Sequence, residues 1–141
     1  MKPRSYAGGC HCGAIRVVFR TALPPARWAL RSCTCDFCSR HASRAATDPA
    51  GLLRVALRRP ARLSRLDWKQ GKGGRLVCAH CGVYVALALR FGKGWLATLN
   101  VNALDNGPAG KGFPVDYSGE TAAAKRKRRE ARWTPTEILP I

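Results

Sequence analysis

The sequence predicts a small, mainly β domain that is stabilised by zinc and followed by a short basic helix or tail. Apolar residues recur at every second position in several segments, seven cysteines occur in tight clusters, and a Lys/Arg run lies near the C-terminus. Alternation with a period of two residues is typical of half-buried strands. A length of 141 residues fits one domain, with or without a tail.

Four segments carry this alternation. In chain order they are residues 15–19, 53–57, 83–91 and 95–101, with Val, Leu, Ile, Phe, Trp or Ala at alternate positions. The sequence Gly-Lys-Gly at residues 92–94 separates the last two segments and favours a hairpin turn between them. We therefore expect most of the body to consist of strands.

Composition changes after an Asn-Gly-Pro sequence, so we expect a β domain over residues 1–105 and a basic C-terminal extension over residues 106–141. Residues 121–132 are expected to form a short helix, with Thr121 as its N-cap. This segment lacks a broad apolar stripe, so little of it should be buried. Residues 138–141 could fold back on the domain, which the sequence alone leaves open.

The chain is strongly basic, because 25 Lys and Arg residues outnumber 8 Asp and Glu residues and give a formal charge of +17. Such an excess favours anionic partners without indicating a fold. The longest apolar run, residues 83–89, is far shorter than the ~18 residues that span a bilayer, and no secretory signal follows the basic start. We expect no membrane partner and a cytoplasmic, reducing location.

Two cysteine pairs are each followed by glycine, in Cys10-His11-Cys12-Gly13 and Cys78-Ala79-His80-Cys81-Gly82. In a reducing compartment such clusters bind metal more often than they form disulfides. Four thiolates complete the tetrahedral coordination of Zn²⁺, so Cys10, Cys12, Cys78 and Cys81 are the expected ligands of a structural zinc. Separate buried thiols are the alternative interpretation.

A third cluster offers Cys33, Cys35 and Cys38 with no obvious fourth cysteine. Three protein ligands and one exchangeable position are typical of catalytic zinc, so these cysteines are both metal-ligand and catalytic candidates. His41 follows Cys38 at a spacing that would also allow a closed site of three cysteines and one histidine. The sequence leaves both arrangements open.

The order of these motifs resembles the glutathione-dependent formaldehyde-activating enzyme family, which also includes centromere protein V. The matching segments are Gly8-Gly9-Cys10-His11-Cys12-Gly13, Cys33-x-Cys35-x-x-Cys38, Arg75-x-x-Cys78-x-x-Cys81-Gly82 and the sequence from Leu99 to Asp105. The resemblance covers roughly residues 5–105 and includes all seven cysteines. It implies a domain of coiled antiparallel β-sheets, a structural zinc on the four-cysteine group, and an exchangeable zinc on the three-cysteine group, near which glutathione binds.

This resemblance implies an enzyme of the carbon–sulfur lyase type that reversibly joins formaldehyde to glutathione at the open zinc. The expected cofactors are two zinc ions per chain, with glutathione as co-substrate. Arg40 and Arg44 are candidates to bind its carboxylates, because guanidinium pairs with carboxylate through two hydrogen bonds; ordinary surface arginines are the alternative.

A second interpretation is a non-catalytic zinc protein of the centromere-protein-V kind. In that case the basic surface and the Lys/Arg run at residues 125–129 would neutralise the phosphates of a nucleic acid. Aromatic residues that could stack on bases are not interleaved with this run, which counts against it.

Overall fold

A computed structural model describes residues 2–140, and in this range ten strands form one sheet accompanied by two helices. The strands are β1 (Arg4–Gly9), β2 (Ile15–Thr21), β3 (Arg31–Cys33), β4 (Ala45–Ala46), β5 (Leu52–Leu57), β6 (Gly73–Val77), β7 (Tyr84–Phe91), β8 (Gly94–Asn100), β9 (Phe113–Val115) and β10 (Thr134–Leu139). The helices are α1 (Asp36–Arg40) and α2 (Ala122–Arg132). The mainly β fold class and the short basic C-terminal helix are thus confirmed. Neither helix is long and apolar enough to cross a membrane.

The sheet follows the order β1-β2-β5-β10-β8-β4-β3-β9, and β7 joins the other edge of β8 and carries β6. Among the described strands, β10 runs parallel to β5 and β9 runs parallel to β3, whereas the other pairings are antiparallel. Strand β8 is central because β7 lies along one edge while β10 and β4 share the other.

The four alternating segments correspond to β2, β5, β7 and β8. Alternate residues of β2, β5 and β8 enter one buried cluster, among them Ile15, Val17, Phe19, Leu53, Val55, Leu57, Ala97 and Leu99. In β7 the expected alternation is wrong, because the cluster takes Val85 together with Ala86 and Ala88, whereas Leu87 and Leu89 are half-buried. The hairpin between β7 and β8 turns at Gly92, whose φ of 61° is the left-handed conformation that glycine adopts at low cost. Val83 precedes β7 and Val101 begins a 3₁₀ turn, so both predicted segments extend one residue beyond their strands.

The C-terminal strand β10 lies in the interior of the sheet, between β5 and β8. Its alternate residues Thr134, Thr136 and Ile138 are buried, which explains why the start of the segment 138–141 folds back on the domain, whereas Ile141 lies outside the described residues. Pro135 has no N–H group, and it lies where β10 pairs with β8 alone, before the pairing with β5 begins at Thr136. Division of the chain after residue 105 stays a prediction, but β10 completes the sheet of the preceding domain.

Helix α2 leads directly into β10 and is therefore held against the domain. Thr121 caps it as predicted, because its hydroxyl accepts a hydrogen bond from the amide of Ala124 at 3.1 Å. No residue of α2 is buried, as its lack of an apolar stripe predicts.

Candidate metal centres and the adjoining cavity

The Sγ atoms of Cys10, Cys12, Cys78 and Cys81 all lie within 4.8 Å of one another. Two of the separations are 3.7 Å, between Cys10 and Cys12, and 3.5 Å, between Cys12 and Cys78. A Zn–S distance of about 2.3 Å in a tetrahedron places the sulfurs about 3.8 Å apart, so this donor set fits zinc. The fold thus brings together all four predicted ligands, and their role as a structural zinc site stays a proposal.

Both halves of this cluster are built by the same local geometry. The amide of Gly13 donates to the carbonyl of Cys10 at 3.2 Å, and that of Gly82 donates to the carbonyl of Cys78 at 2.8 Å. The two glycines have φ values of 82° and 81°, which closes each turn tightly around its cysteine pair. One turn joins β1 to β2 and the other joins β6 to β7, so the cluster links two hairpins that are distant in sequence.

Backbone amides also favour the thiolate forms that a metal needs. The amide of Ile15 donates to Sγ of Cys10 at 3.2 Å. A hydrogen bond from the amide of Ala14 lowers the pKa of Cys12 to about 6. Burial instead raises the pKa of Cys78 to about 11, because a lone thiolate is poorly solvated there. A cation among the sulfurs would offset that cost.

The second cluster lies at the end of β3 and the start of α1. The Sγ atoms of Cys33, Cys35 and Cys38 lie within 4.8 Å of one another, and this donor set also fits zinc. Cys35 is the N-cap of α1 and its sulfur accepts from the amide of Cys38 at 3.5 Å. Burial alone would raise the pKa of Cys35, but hydrogen bonds from Cys38 and Cys33 outweigh it and lower the pKa. Burial raises the pKa of Cys38 to about 12.

Within residues 2–140, no fourth His, Cys, Asp or Glu ligand atom joins this group of three sulfurs. His41 instead packs its ring against that of Phe37 in a tilted arrangement, with ring centroids 4.4 Å apart, and lies 5.6 Å from the ring of Tyr84. This geometry favours an open three-cysteine arrangement over a site closed by His41.

A cavity of about 530 Å³ adjoins the three-cysteine cluster, a volume suited to a small-molecule ligand. Its walls come from β3 and α1, from β7 and β8, from the segment after β9, and from α2. Besides the three cysteines they include Arg31, Asp36, Arg75, Tyr84, Leu87, Thr98, Asp116, Tyr117, Lys125, Arg128, Arg129 and Trp133. The cluster is therefore exposed to a cavity in which a substrate could meet it.

Several lining residues were not identified as candidates from the sequence. Arg75 belongs to the matched segment that contains Cys78 and Cys81, but the sequence pattern does not indicate a role for it. Lys125, Arg128 and Arg129 belong to the basic run, and their i, i+3, i+4 spacing could have indicated one helix face. Which face meets the cavity depends on the docking of α2, which the spacing does not reveal.

The two arginines proposed to bind substrate do not line this cavity. Arg40 is exposed at the end of α1. Arg44 donates to Asn102 at 2.7 Å and to the carbonyls of Pro108 and Gly110 at 2.6 and 2.8 Å, and lines a shallower groove on another side of Cys33. Those bonds give Arg44 a role in fixing the loop before β9, and the substrate role of both arginines stays a prediction.

Comparison with known proteins gives a specific match. The sequence model of the family described as glutathione-dependent formaldehyde-activating enzyme matches residues 5–114. A crystal structure of a Rhodobacter sphaeroides protein is similar, with 26% sequence identity, coverage of 77% of this chain and 99% of that chain, and a TM-score of 0.57. No curated protein matches the chain. Helix α2 and strand β10 lie beyond the residues that the family model matches.

Proposed function

Because this chain belongs to the glutathione-dependent formaldehyde-activating enzyme family, we propose that it catalyses reversible carbon–sulfur bond formation between a thiol and an aldehyde at the three-cysteine cluster. The observation that carries this proposal is the position of three clustered sulfurs, without a fourth ligand among the described residues, at the wall of a cavity of about 530 Å³. Formaldehyde and glutathione are the substrates that the family name suggests. A reducing cytoplasm would keep the seven thiols available for metal.

Cys33, Cys35 and Cys38 would hold the zinc, which supplies an exchangeable position where a thiol is stabilised as thiolate. The other contribution of the chain is to position the substrates, because the cavity brings thiol and aldehyde together. In the reaction the thiol sulfur bonds to the carbonyl carbon, the C=O double bond becomes a single bond, and the thiol proton ends on that oxygen.

The proposal is tested by exchange NMR spectroscopy with ¹³C-formaldehyde and glutathione, which measures adduct formation above the spontaneous rate. We expect the zinc-loaded protein to accelerate the exchange and Cys35→Ser to abolish the acceleration. Lys127→Gln is the control, because Lys127 is exposed on α2 and does not line the cavity. Equal rates with the wild-type protein and with Cys35→Ser would refute the proposed reaction.

Nucleic-acid binding through the basic run stays a prediction that no contact of the described residues favours. Lys125, Arg128 and Arg129 line the cavity, and Arg126 pairs with Glu130 at 2.8 Å. Truncation of the tail is unsuitable as a test, because it would remove β10 from the sheet. Affinity for single-stranded DNA that falls steeply with salt and is reduced by Lys127→Gln would support the alternative.

A further inference from the structure

More cationic than anionic side chains line the cavity beside the three-cysteine cluster. Five cationic side chains line it, namely Arg31, Arg75, Lys125, Arg128 and Arg129. The carboxylates of Asp36 and Asp116 are the acidic groups among the lining residues. Three thiolates with one Zn²⁺ would add a single negative charge at one wall. An excess of positive charge therefore remains inside the cavity.

Two of these cations are already paired. Arg128 donates two hydrogen bonds to Glu120, at 2.8 and 2.9 Å, and covers the ring of Tyr117 at 3.7 Å. Arg75 pairs with Asp67 at 3.4 Å. These contacts fix the start of α2 and the guanidinium of Arg75, and neither Glu120 nor Asp67 lines the cavity.

Arg31, Lys125 and Arg129 have no carboxylate partner within residues 2–140. The Arg129 Nε atom is buried and has no hydrogen-bond acceptor within the described part of the chain. A buried donor without an acceptor is destabilising, more so when it belongs to a charged group, so natural proteins rarely leave one unpaired. Because the Arg129 side chain lines the cavity, an anion bound beside its guanidinium would offset part of this cost.

The electrostatics of the two arginines agree with this geometry. Burial, followed by repulsion from Arg128, lowers the pKa of Arg129. Burial also lowers the pKa of Arg31, and Arg132 and Arg128 add to the effect. Both groups remain charged at neutral pH, because guanidinium is effectively always protonated in proteins. Each is a half-buried charge held among like charges.

Packing holds the guanidinium of Arg129 in place before any ligand arrives. The guanidinium of Arg129 lies over the ring of Trp133, 4.8 Å from its centroid, and Trp133 is buried at the junction of α2 with β10. Lys125 precedes Arg129 by one helical turn, so both belong to the same face of α2. The exposed Lys127 lies outside this set.

We propose that α2 is the substrate-recognition helix of this chain, and that Lys125 and Arg129, together with Arg31, bind the carboxylates of the thiol substrate while its sulfur faces the cysteines. This assignment rests on the proposed function for the identity of the substrate as a thiol. Lys125 and Arg129 lie on a helix beyond residues 5–114, the part of the chain that the family model matches. Neutral thiols of the same size should therefore bind poorly.

The test uses binding rather than turnover. S-methylglutathione keeps both carboxylates but has no free thiol, and its diethyl ester lacks both negative charges. Isothermal titration calorimetry with the zinc-loaded full-length protein should show at least tenfold tighter binding of the acid than of the ester. Arg129→Gln should weaken binding of the acid about tenfold and Lys125→Gln about three- to fivefold, within the range of a charge-assisted hydrogen bond. Arg129→Lys should restore part of the affinity, and Lys127→Gln should leave it unchanged.

Thermal unfolding separates recognition from a structural role. Because Arg129→Gln removes a half-buried charge that has no carboxylate partner among the described residues, its midpoint of unfolding should equal or exceed that of the wild-type protein. A large fall in the midpoint, equal binding of acid and ester, no binding of either, or equal effects of Arg129→Gln and Lys127→Gln would each overturn the proposal. Charge-selective binding without catalysis of aldehyde exchange would refute the proposed function alone. Catalysis without charge selectivity would refute the recognition helix alone.

Discussion

The two cysteine clusters share one ligand chemistry but differ in their surroundings. In the four-cysteine cluster, Cys10 and Cys78 are 3% and 0% exposed and belong to the hydrophobic core. In the three-cysteine cluster, Cys35 is exposed and the group lies at the wall of a cavity. The first cluster joins two hairpins, whereas the second caps one short helix.

This difference indicates how one fold can use cysteine sulfur both for a structural metal site and for a site with an exchangeable position. Four sulfurs complete the tetrahedral coordination of a zinc ion. When they belong to the core, removal of the ion unfolds the domain. Three sulfurs beside open space leave a position for exchange, and their local scaffold does not hold the core together. The predictions below test this contrast, beginning with the largest effect.

Replacement of Cys78 by serine should abolish folding. A structural zinc contributes about 10–16 kcal/mol of apparent binding free energy in small zinc domains, comparable to the whole stability of a typical domain. We expect Cys78→Ser to lose its near-ultraviolet circular dichroism signal and its cooperative thermal transition. A native-like spectrum for Cys78→Ser would show that the four-cysteine cluster is not structural.

Replacement of Cys35 by serine should remove activity while leaving the fold intact. We expect thiol–aldehyde exchange to fall at least a hundredfold, while the midpoint of thermal unfolding stays within a few degrees, since Cys35 is exposed and outside the core. The same samples should contain one zinc per chain fewer than the wild-type protein. Unfolding of Cys35→Ser would erase the distinction between the two clusters.

The glycine turns of the four-cysteine cluster offer a smaller effect. A Cβ atom at Gly13 would meet no atom within 4 Å, but its φ of 82° is unfavourable for alanine. Gly13→Ala should therefore lower the free energy of unfolding by about 1–2 kcal/mol through conformation alone. Gly119 has equal space and no positive φ, so Gly119→Ala is the matched control and should change stability by less than about 0.5 kcal/mol. Equal effects, measured by urea denaturation, would contradict this explanation.

Acid should weaken the docking of α2, which forms part of the cavity wall beside the three-cysteine cluster. This is the smallest of the four predicted effects. A hydrogen bond from Arg128 lowers the pKa of Glu120 in the folded chain, so this pair stabilises the docking of α2 above the ordinary Glu range and is lost as pH falls through the lowered pKa. Hydrogen exchange of residues 121–133 should therefore rise in acid more than that of the β7–β8 hairpin. Glu120→Gln should show the faster exchange already at neutral pH, and equal protection in this variant would argue against the role of the pair.

Local features of the site were predictable from the sequence, and non-local ones were not. The spacing of cysteines and glycines indicated both clusters, because each half is built within a few residues. The Thr121 cap was predictable for the same reason. The insertion of β10 between β5 and β8 depends on pairings with residues about 80 positions earlier in β5 and about 40 positions earlier in β8, which alternation alone cannot assign.

The cavity illustrates the same limit. Its walls come from segments spread between Arg31 and Trp133, so proximity in sequence gave a poor guide to proximity in space. Arg44 lies six residues after Cys38 but is held by Asn102 and two carbonyls, whereas Arg129 lies about 90 residues away and lines the cavity. The basic run was evident as charge, and only the position of α2 indicates which of its residues can meet a substrate.

Zinc exchange measures the contrast between the clusters most directly. The wild-type protein, loaded with two zinc ions, is mixed with a chelator and the release of metal is followed in the presence and absence of glutathione. We expect metal release in two phases. The fast phase comes from the three-cysteine cluster, is accelerated by glutathione and is missing in Cys35→Ser, whereas the slow phase comes from the four-cysteine cluster and coincides with unfolding. A single phase for both ions, or a fast phase that persists in Cys35→Ser, would contradict the proposed difference between the clusters.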